Sequence, residues 1–279
     1  YRDAGNSGYG TAVVGTVSGT SISFGTPVVF ESASTYYVSA AYDTNAQKVV
    51  IGYQDSTNSE YGTAVVGTVS GTSISFGTPV VFRSAATLII SATYDITAQK
   101  VVFAYRDSST TGYAIVGTVS GTSISFGSQA QFESGNTTHI ASAYDANAQK
   151  HVVVCTDGSD ADKGKAAVGT VSGTSISFGT PVQFDAGGGS YNSVAYDASA
   201  QKVVISYRDA GNSSYGTAIV GTVSGTSISF GTAVVFESAT TEYIASGYDA
   251  NAGKVSIAYR DGGNSDYGTV LSGTVSGTS

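Results

Sequence analysis

The string GTVSGTSISFG begins at Gly15, Gly67, Gly117, Gly169 and Gly221, and a truncated copy, GTVSGTS, begins at Gly273. This recurrence constrains the fold more than any other property of the chain, because a fixed period means one supersecondary unit built several times and stacked on itself. The period is 52 residues with one interval of 50, so units begin near residues 1, 53, 105, 155 and 207, with a partial one from 259. That length falls in the range of propeller blades.

Within one period, residues 37–82, four segments are rich in β-branched and aromatic residues: YVSAAYD, KVVIGYQD, GTAVVGTVSG and SISFGTPVVF. The links between them are short and turn-like, which favours an antiparallel meander over a parallel β-helix. YVSAAYD and its copies carry small residues in the middle, as a strand at a crowded axis requires, and are expected innermost. SISFGTPVVF holds Pro27, Pro79 and Pro181 in three copies and is expected outermost, because proline removes a ladder donor and is tolerated at sheet edges. The expected fold is therefore all-β, a single β-propeller domain over residues 1–279 with four-stranded antiparallel blades. Counting strands favours five blades, closed by an N-terminal fourth strand near Ser21 to Glu31 that completes the C-terminal blade by strand exchange. An incomplete six-bladed ring is the alternative, since residues 1–21 and 259–279 compete for one place.

Function classes narrow with composition. No apolar run approaches the roughly 20 residues of a membrane-spanning helix, so membrane insertion is not expected. Net charge is −8 with only 12 Lys and Arg, scattered along the chain, which argues against nucleic acid as a partner. Charged residues are 11% of the chain while Gly, Ser and Thr abound, a balance common in extracellular β-proteins. With neither a starting Met nor a signal peptide, the chain reads as a monomeric domain of a longer protein, extracellular or virion-associated. Cys155, the lone cysteine, stands where other copies carry Tyr and reads as a buried thiol.

The copies differ chiefly on one rim. Their second-to-third-strand loops read RDAGNSGYG, QDSTNSEYG, RDSSTTGY, TDGSDADKGK, RDAGNSSYG and RDGGNSDYG, and the segments before each first strand vary at Tyr36 and Tyr37, Leu88 and Ile89, Thr138 and His139, Ser190 and Tyr191, Glu242 and Tyr243. Arg, Asp, Asn and Tyr together suit a sugar, which they hold by bidentate hydrogen bonds and ring stacking, repeated about once per blade. The candidate ligand-binding residues are Arg2, Asp3, Asn6 and Tyr9; Arg106 and Asp107; Arg208, Asp209, Asn212 and Tyr215; Arg260, Asp261, Asn264 and Tyr267; and Tyr37, Tyr191 and Tyr243. The competing reading is structural: Arg and Asp pair with a neighbouring blade, Asn and Ser shape the turn, Tyr covers the core edge.

Catalysis needs unlike residues in fixed roles, and none is apparent: no catalytic residue and no cofactor are expected. His139 and His151 lie in no metal-ligand spacing. The acidic cluster Asp157, Asp160 and Asp162 is the one weak Ca²⁺ candidate, with a spacing that departs from the EF-hand loop. Asp43 and its copies precede a repeated turn and suit an Asx-turn.

At GTVSGTSISFGTPVVF, followed by the Tyr-Asp turn and KVV-x-x-YRD, the chain resembles highly repetitive β-propellers encoded by marine bacteria and bacteriophages. Its architecture is also similar to tachylectin-2-like lectin propellers, from which it departs by having no Trp and a longer repeat. The resemblance carries over architecture only; with the variable rim, the expected function is a non-enzymatic propeller for multivalent glycan or cell-surface recognition, in adhesion for instance. The alternative is a spacer or scaffold domain of a phage fibre or large surface protein, or a consensus repeat protein without a ligand.

Overall fold

The computed structural model describes residues 1–278, and they form antiparallel β-sheets joined by turns, with two single-turn 3₁₀ segments at Ala4–Asn6 and Ala210–Asn212. The chain divides into two compact units, Tyr1–Ser108 with Ile115–Ser128, and Ser109–Ala114 with Gln129–Ser279.

Each complete sheet follows the expected meander. In the first unit the C-terminal half of Val28–Asp43 pairs with Lys48–Asp55, which pairs with Tyr61–Ser70 in a ladder from Val49↔Gly67 to Asp55↔Tyr61. In the second unit the same order recurs as Thr137–Asp145, Lys150–Asp157 and Lys163–Ser172, and again as Gly189–Asp197, Lys202–Asp209 and Tyr215–Ser224. The second strands read as apolar runs because both of their faces are covered: Val101, Val102, Phe103 and Ala104 are all buried. Burial on both faces removes the period-2 alternation of a half-exposed strand.

The fourth strand differs from expectation. SISFGTPVVF is not one strand; Ser73–Phe76 covers the C-terminal half of the third strand (Gly67↔Phe76), and the start of Val80–Asp95 covers its N-terminal half (Ala64↔Val80). The break falls at Gly77–Thr78–Pro79, where the proline can donate nothing and the Gly77 amide still reaches Val66 O at 2.9 Å. Gly77 is required there, because a Cβ would stand 1.9 Å from the carbonyl oxygen of Thr122 in the following repeat's SGTS turn. The same abutment recurs at Gly25 on Thr72, Gly179 on Thr226 and Gly231 on Thr278. Beyond the break, the outer strand continues without interruption into the next first strand over Val28–Asp43, Val80–Asp95 and Val234–Asp249. It is interrupted around Gly135 and around Gly187–Gly189, where glycines replace the ESA-type link.

Successive first strands lie side by side within each unit, as their small residues allow. The Ala92 amide donates to Ser39 Oγ (3.0 Å) and the Ser246 amide to Ser193 Oγ (2.9 Å). The expected Asx-turns form: Asp43 Oδ1 accepts the amides of Asn45 and Ala46 at 3.0 and 2.9 Å, and Asp145 and Asp197 do the same in their copies. Each such turn also donates to a tyrosine of the next sheet: Asn45 N to Tyr94 OH (3.3 Å), Asn147 N to Tyr196 OH (3.2 Å), Ser199 N to Tyr248 OH (3.1 Å).

The terminal strand exchange is not made. Ser21–Phe24 pairs with its own neighbour Gly15–Ser18, and the start of Val28–Asp43 pairs with Tyr9–Ala12, so the N-terminal fourth strand is already taken. Tyr267–Gly273 pairs with Lys254–Asp261, its one ladder partner among the described residues. The reason is the redundancy already visible in the sequence: two nearly identical third strands exist for one fourth strand, and the local pairing closes the shorter loop.

Candidate functional site

Every first strand carries a bulge at the position that varies most between copies. Tyr36 stands opposite Gln54 and Ser39 opposite Gly52, so Tyr37 and Val38 together face Tyr53. The bulged residue adopts a left-handed backbone in all five copies: Tyr37 (φ 51°), Ile89 (52°), His139 (48°), Tyr191 (51°) and Tyr243 (51°). Bulky residues rarely hold that conformation, which costs about 1–3 kcal/mol each. Bulges re-aim side chains, and in the second unit they bring His139, Tyr191 and Tyr243 into a row, with ring centroids 5.1 and 5.2 Å apart and planes tilted 50° and 58°.

Beside this row lies a cavity of about 300 Å³, formed by the bulge of one sheet and the strand ends of the next. His139, Asp162, Gly187–Gly189, Ser190 and Arg208 line it. The Arg208 guanidinium sits 5.5 Å from the Tyr191 ring centroid and donates to Glu242 Oε1 at 3.2 Å. Two buried polar atoms here, Ser190 Oγ and Arg208 Nε, have no hydrogen-bond partner among the described residues. Burial lowers the His139 pKa, the nearby Arg208 charge adds to that, and Asp162 opposes it, so the imidazole is held neutral to lower pH than usual. Asp185, under the glycine segment, is pushed upward by burial and by the charge of Asp209, while the Gly187, Gly188 and Ala186 amides counteract both. The corresponding position in the first unit is a cavity of about 270 Å³ lined by Tyr36, Tyr37, Gln54, Glu60 and Leu88.

The sequence-derived residues do not gather as one group. Arg208 faces the cavity, but Asp209 points away from it and its Oδ1 accepts the Asn212 amide at 3.0 Å, capping the 3₁₀ turn. Neighbours on a strand face opposite sides, and Tyr215 pairs with Asp209 in the ladder, not with Arg208. Asn212 is exposed on the loop. At the N-terminus, Arg2 lies 4.8 Å from the Tyr36 ring centroid, Asp3 caps the 3₁₀ turn holding the exposed Asn6, and Tyr9 is half-buried opposite Ser34. Arg106 stands opposite Leu88, while Asp107 is buried and salt-bridged to Arg83 at 3.2 Å. Arg260 pairs with Glu242 and with Asp266 (2.7 Å); Asp261 is buried and accepts the Gly263 amide at 2.9 Å; Asn264 and Tyr267 are exposed. Tyr37 and Tyr243 are also exposed, and Tyr191 half-buried between its ring neighbours.

The acidic cluster is an ion-pair network. Lys165 Nζ reaches Asp157 Oδ2 at 2.5 Å, Glu133 at 3.5 Å and Asp160 at 3.4 Å, and Lys163 reaches Asp160 at 2.9 Å. Burial works against the Lys165 ammonium, but these carboxylates outweigh it and hold its pKa above the ordinary value. Among the described residues no cluster of three or more His, Cys, Asp or Glu is arranged to hold a metal ion. Cys155 is buried, as expected; burial first, then the charges of Glu133 and Asp157, raise its pKa and keep it an inert thiol. Sequence reasoning named His139 and Ser190 as variable rim positions without making them candidates, and it passed over the glycines of the cavity. The one signal for them was the run Gly187-Gly188-Gly189, which no other copy carries.

No protein-family model matches the chain, and no curated protein matches it. Solved structures do. The BP39L lectin from Burkholderia pseudomallei aligns with a TM-score of 0.67 at 11% identity, covering 90% of this chain and 71% of the lectin. The SapL1 lectin, solved in complex with alpha methyl fucoside, aligns at 0.55 and 12% identity, covering 95% and 93%. AofleA from Arthrobotrys oligospora aligns at 0.51 and 9% identity, covering 87% and 71%. At such identities the likeness is one of fold alone: an all-β fold of antiparallel sheets, as the repeat implied, whose structural neighbours are lectin propellers.

Proposed function

We propose that the chain is a non-enzymatic glycan-recognition module whose sites are the cavities between successive sheets on the bulged rim, used several at a time. The observation that carries this is the cavity at Arg208. It is of a size for one sugar ring, it offers a guanidinium, a carboxylate at Asp162 and a neutral imidazole as directional partners, and it contains two buried polar atoms that lack partners of their own. Buried polar groups are ordinarily satisfied, so Ser190 Oγ and Arg208 Nε call for an occupant with hydroxyl or carboxylate oxygens. The aromatic row supplies a face for ring stacking. The lectin neighbours support the same reading, and SapL1 was solved with a fucoside. An extracellular or virion-surface setting would suit it.

The test is a glycan array followed by titration of any hit. Retention competed by free sugar, and lost in Arg208→Ala with the fold unchanged, supports the reading; a blank array on folded protein sinks it. The scaffold reading has an observation in its favour too. Glu242 engages both Arg208 and Arg260, and Arg83 engages Asp107, so part of the rim is consumed in holding sheets together.

A further inference from the structure

One sheet departs from the others at a facing pair. Second and third strands set tyrosine opposite threonine at Tyr53↔Thr63, Tyr207↔Thr217 and Tyr259↔Thr269, whereas the sheet of Lys150–Asp157 sets Cys155 opposite Lys165. The tyrosine makes a contact that a cysteine cannot. Tyr53 OH donates to Glu31 Oε2 at 2.9 Å and Tyr259 OH to Glu237 Oε2 at 3.1 Å, each glutamate coming from the preceding outer strand. The Cys155 side chain is too short to take that place, and Glu133 Oε2, the equivalent atom, is buried with no hydrogen-bond partner among the described residues. Lys165 enters the space instead and brings its Nζ to 3.5 Å from Glu133 Oε2.

The lysine meets a second carboxylate there. Asp157 pairs with Lys163 in the ladder, so Asp157 and Lys165 are diagonal neighbours on one face, and Lys165 Nζ donates to Asp157 Oδ2 at 2.5 Å. Asp157 Oδ1 accepts the Ser159 amide at 2.9 Å, and Gly135 leaves room for it, because a Cβ there would stand 2.0 Å from that oxygen. The three side chains are largely shut away from water: 8% of Glu133, 4% of Asp157 and 18% of Lys165 is exposed. An amine, a carboxyl group and a second carboxylate able to carry a proton, held together out of water, are the parts of an amide condensation.

We propose that Lys165 and Asp157 join through an isopeptide bond, with Glu133 as the proton carrier. The ammonium first passes a proton to Asp157 Oδ2 along their hydrogen bond, leaving an amine beside a carboxylic acid. The Nζ lone pair then attacks Asp157 Cγ, and negative charge builds on Oδ1, where the Ser159 amide stabilises it. Glu133 Oε2 takes a second proton from the nitrogen and delivers it to the Oδ2 hydroxyl. The Cγ–Oδ2 bond breaks, water leaves, and the electron pair on Oδ1 restores the carbonyl. Three hydrogens on Nζ become one, two depart with the oxygen, and a charge pair becomes a neutral amide with no oxidant or reductant. Because the surrounding carboxylates keep Lys165 an ammonium, the neutral pair is the minor form and the bond matures slowly after folding. Two things drive it forward: the high effective concentration of groups held by one fold, and removal of a buried charge pair whose desolvation is costly.

Intact-mass measurement on the purified, folded chain over a time course tests this. The mass is expected to fall below that of the sequence by one water, and trypsin is then expected to yield residues 151–163 joined to residues 164–202, with Lys165 uncut. Glu133→Gln should lose the bond while keeping the packing. Cys155→Tyr combined with Lys165→Thr, which restores the pair found in other sheets, should fold with no bond at all. A mass that stays at the full sequence in folded protein overturns the inference. So does a missing water that survives in the double variant, because Asp157-Gly158 would then have closed on itself as a succinimide. Undiminished bonding in Glu133→Gln overturns the role given to Glu133.

Discussion

Two copies of one site, built on the same backbone, differ in what they leave open. Ser190 and Glu242 occupy equivalent positions, each just before a left-handed bulge residue. Where Ser190 stands, a cavity of about 300 Å³ remains and Arg208 projects into it. Where Glu242 stands, its carboxylate reaches back to Arg208 and across to Arg260, and the space is spent on an ion pair. The bulge thus fixes a place, and a single side chain decides whether that place is an open cavity or an ion pair. This is how a near-identical repeat acquires differences without altering its frame.

Four substitutions would break or sharpen that contrast. The largest effect is expected from Gly188→Val, since Gly188 holds φ 101° at the cavity wall and a β-branched residue is strained there; a loss of about 3 kcal/mol in denaturant unfolding is expected. Ser190→Glu should convert the open site into the closed kind. Sugar affinity at that site should fall about thirtyfold, or about 2 kcal/mol, in calorimetric titration with unfolding nearly unchanged. The reverse change, Glu242→Ser, should open a second cavity and raise the titrated stoichiometry by one site, while melting temperature falls modestly because these half-buried ion pairs are still partly screened by solvent.

The smallest effect concerns His139. Its folded-state pKa lies below the ordinary histidine value, so the unfolded chain binds that proton more tightly. This penalty is absent above the unfolded pKa near 6.5 and grows as pH falls below it toward the lowered folded value. His139→Phe should flatten that part of a stability-against-pH curve by a few tenths of a kcal/mol. A slope that persists unchanged would place its origin elsewhere.

Much of the frame is legible in the residues. The period, the antiparallel meander, the small residues of the first strand and the Asx-turns at Asp43 and its copies each follow from a local physical preference that the fold does not override. The site is less legible, because it depends on a one-residue bulge. Nothing in TYYVS announces that Tyr37 takes a left-handed backbone, and once it does, the face on which each later side chain appears is reset. Arg208 and Asp209, adjacent in sequence and read as a pair, part to opposite sides by the ordinary alternation of a strand. The split of SISFGTPVVF was signalled by its proline, but its cause is the Thr122-type carbonyl of another repeat, which no single repeat contains.

The tyrosine that each sheet lends to the turn before it has a directional consequence. In the three cases seen, a repeat's turn at Asn45, Asn147 or Ser199 donates its last hydrogen bond to a tyrosine of the repeat that follows it, not of the one that precedes it. The array is therefore polar, like a line of shingles. Loss of a repeat on the C-terminal side leaves the turn before it held by its own aspartate alone, whereas loss on the N-terminal side removes none of these three bonds. As the chain emerges from a ribosome, each repeat reaches its full complement of bonds only one repeat late.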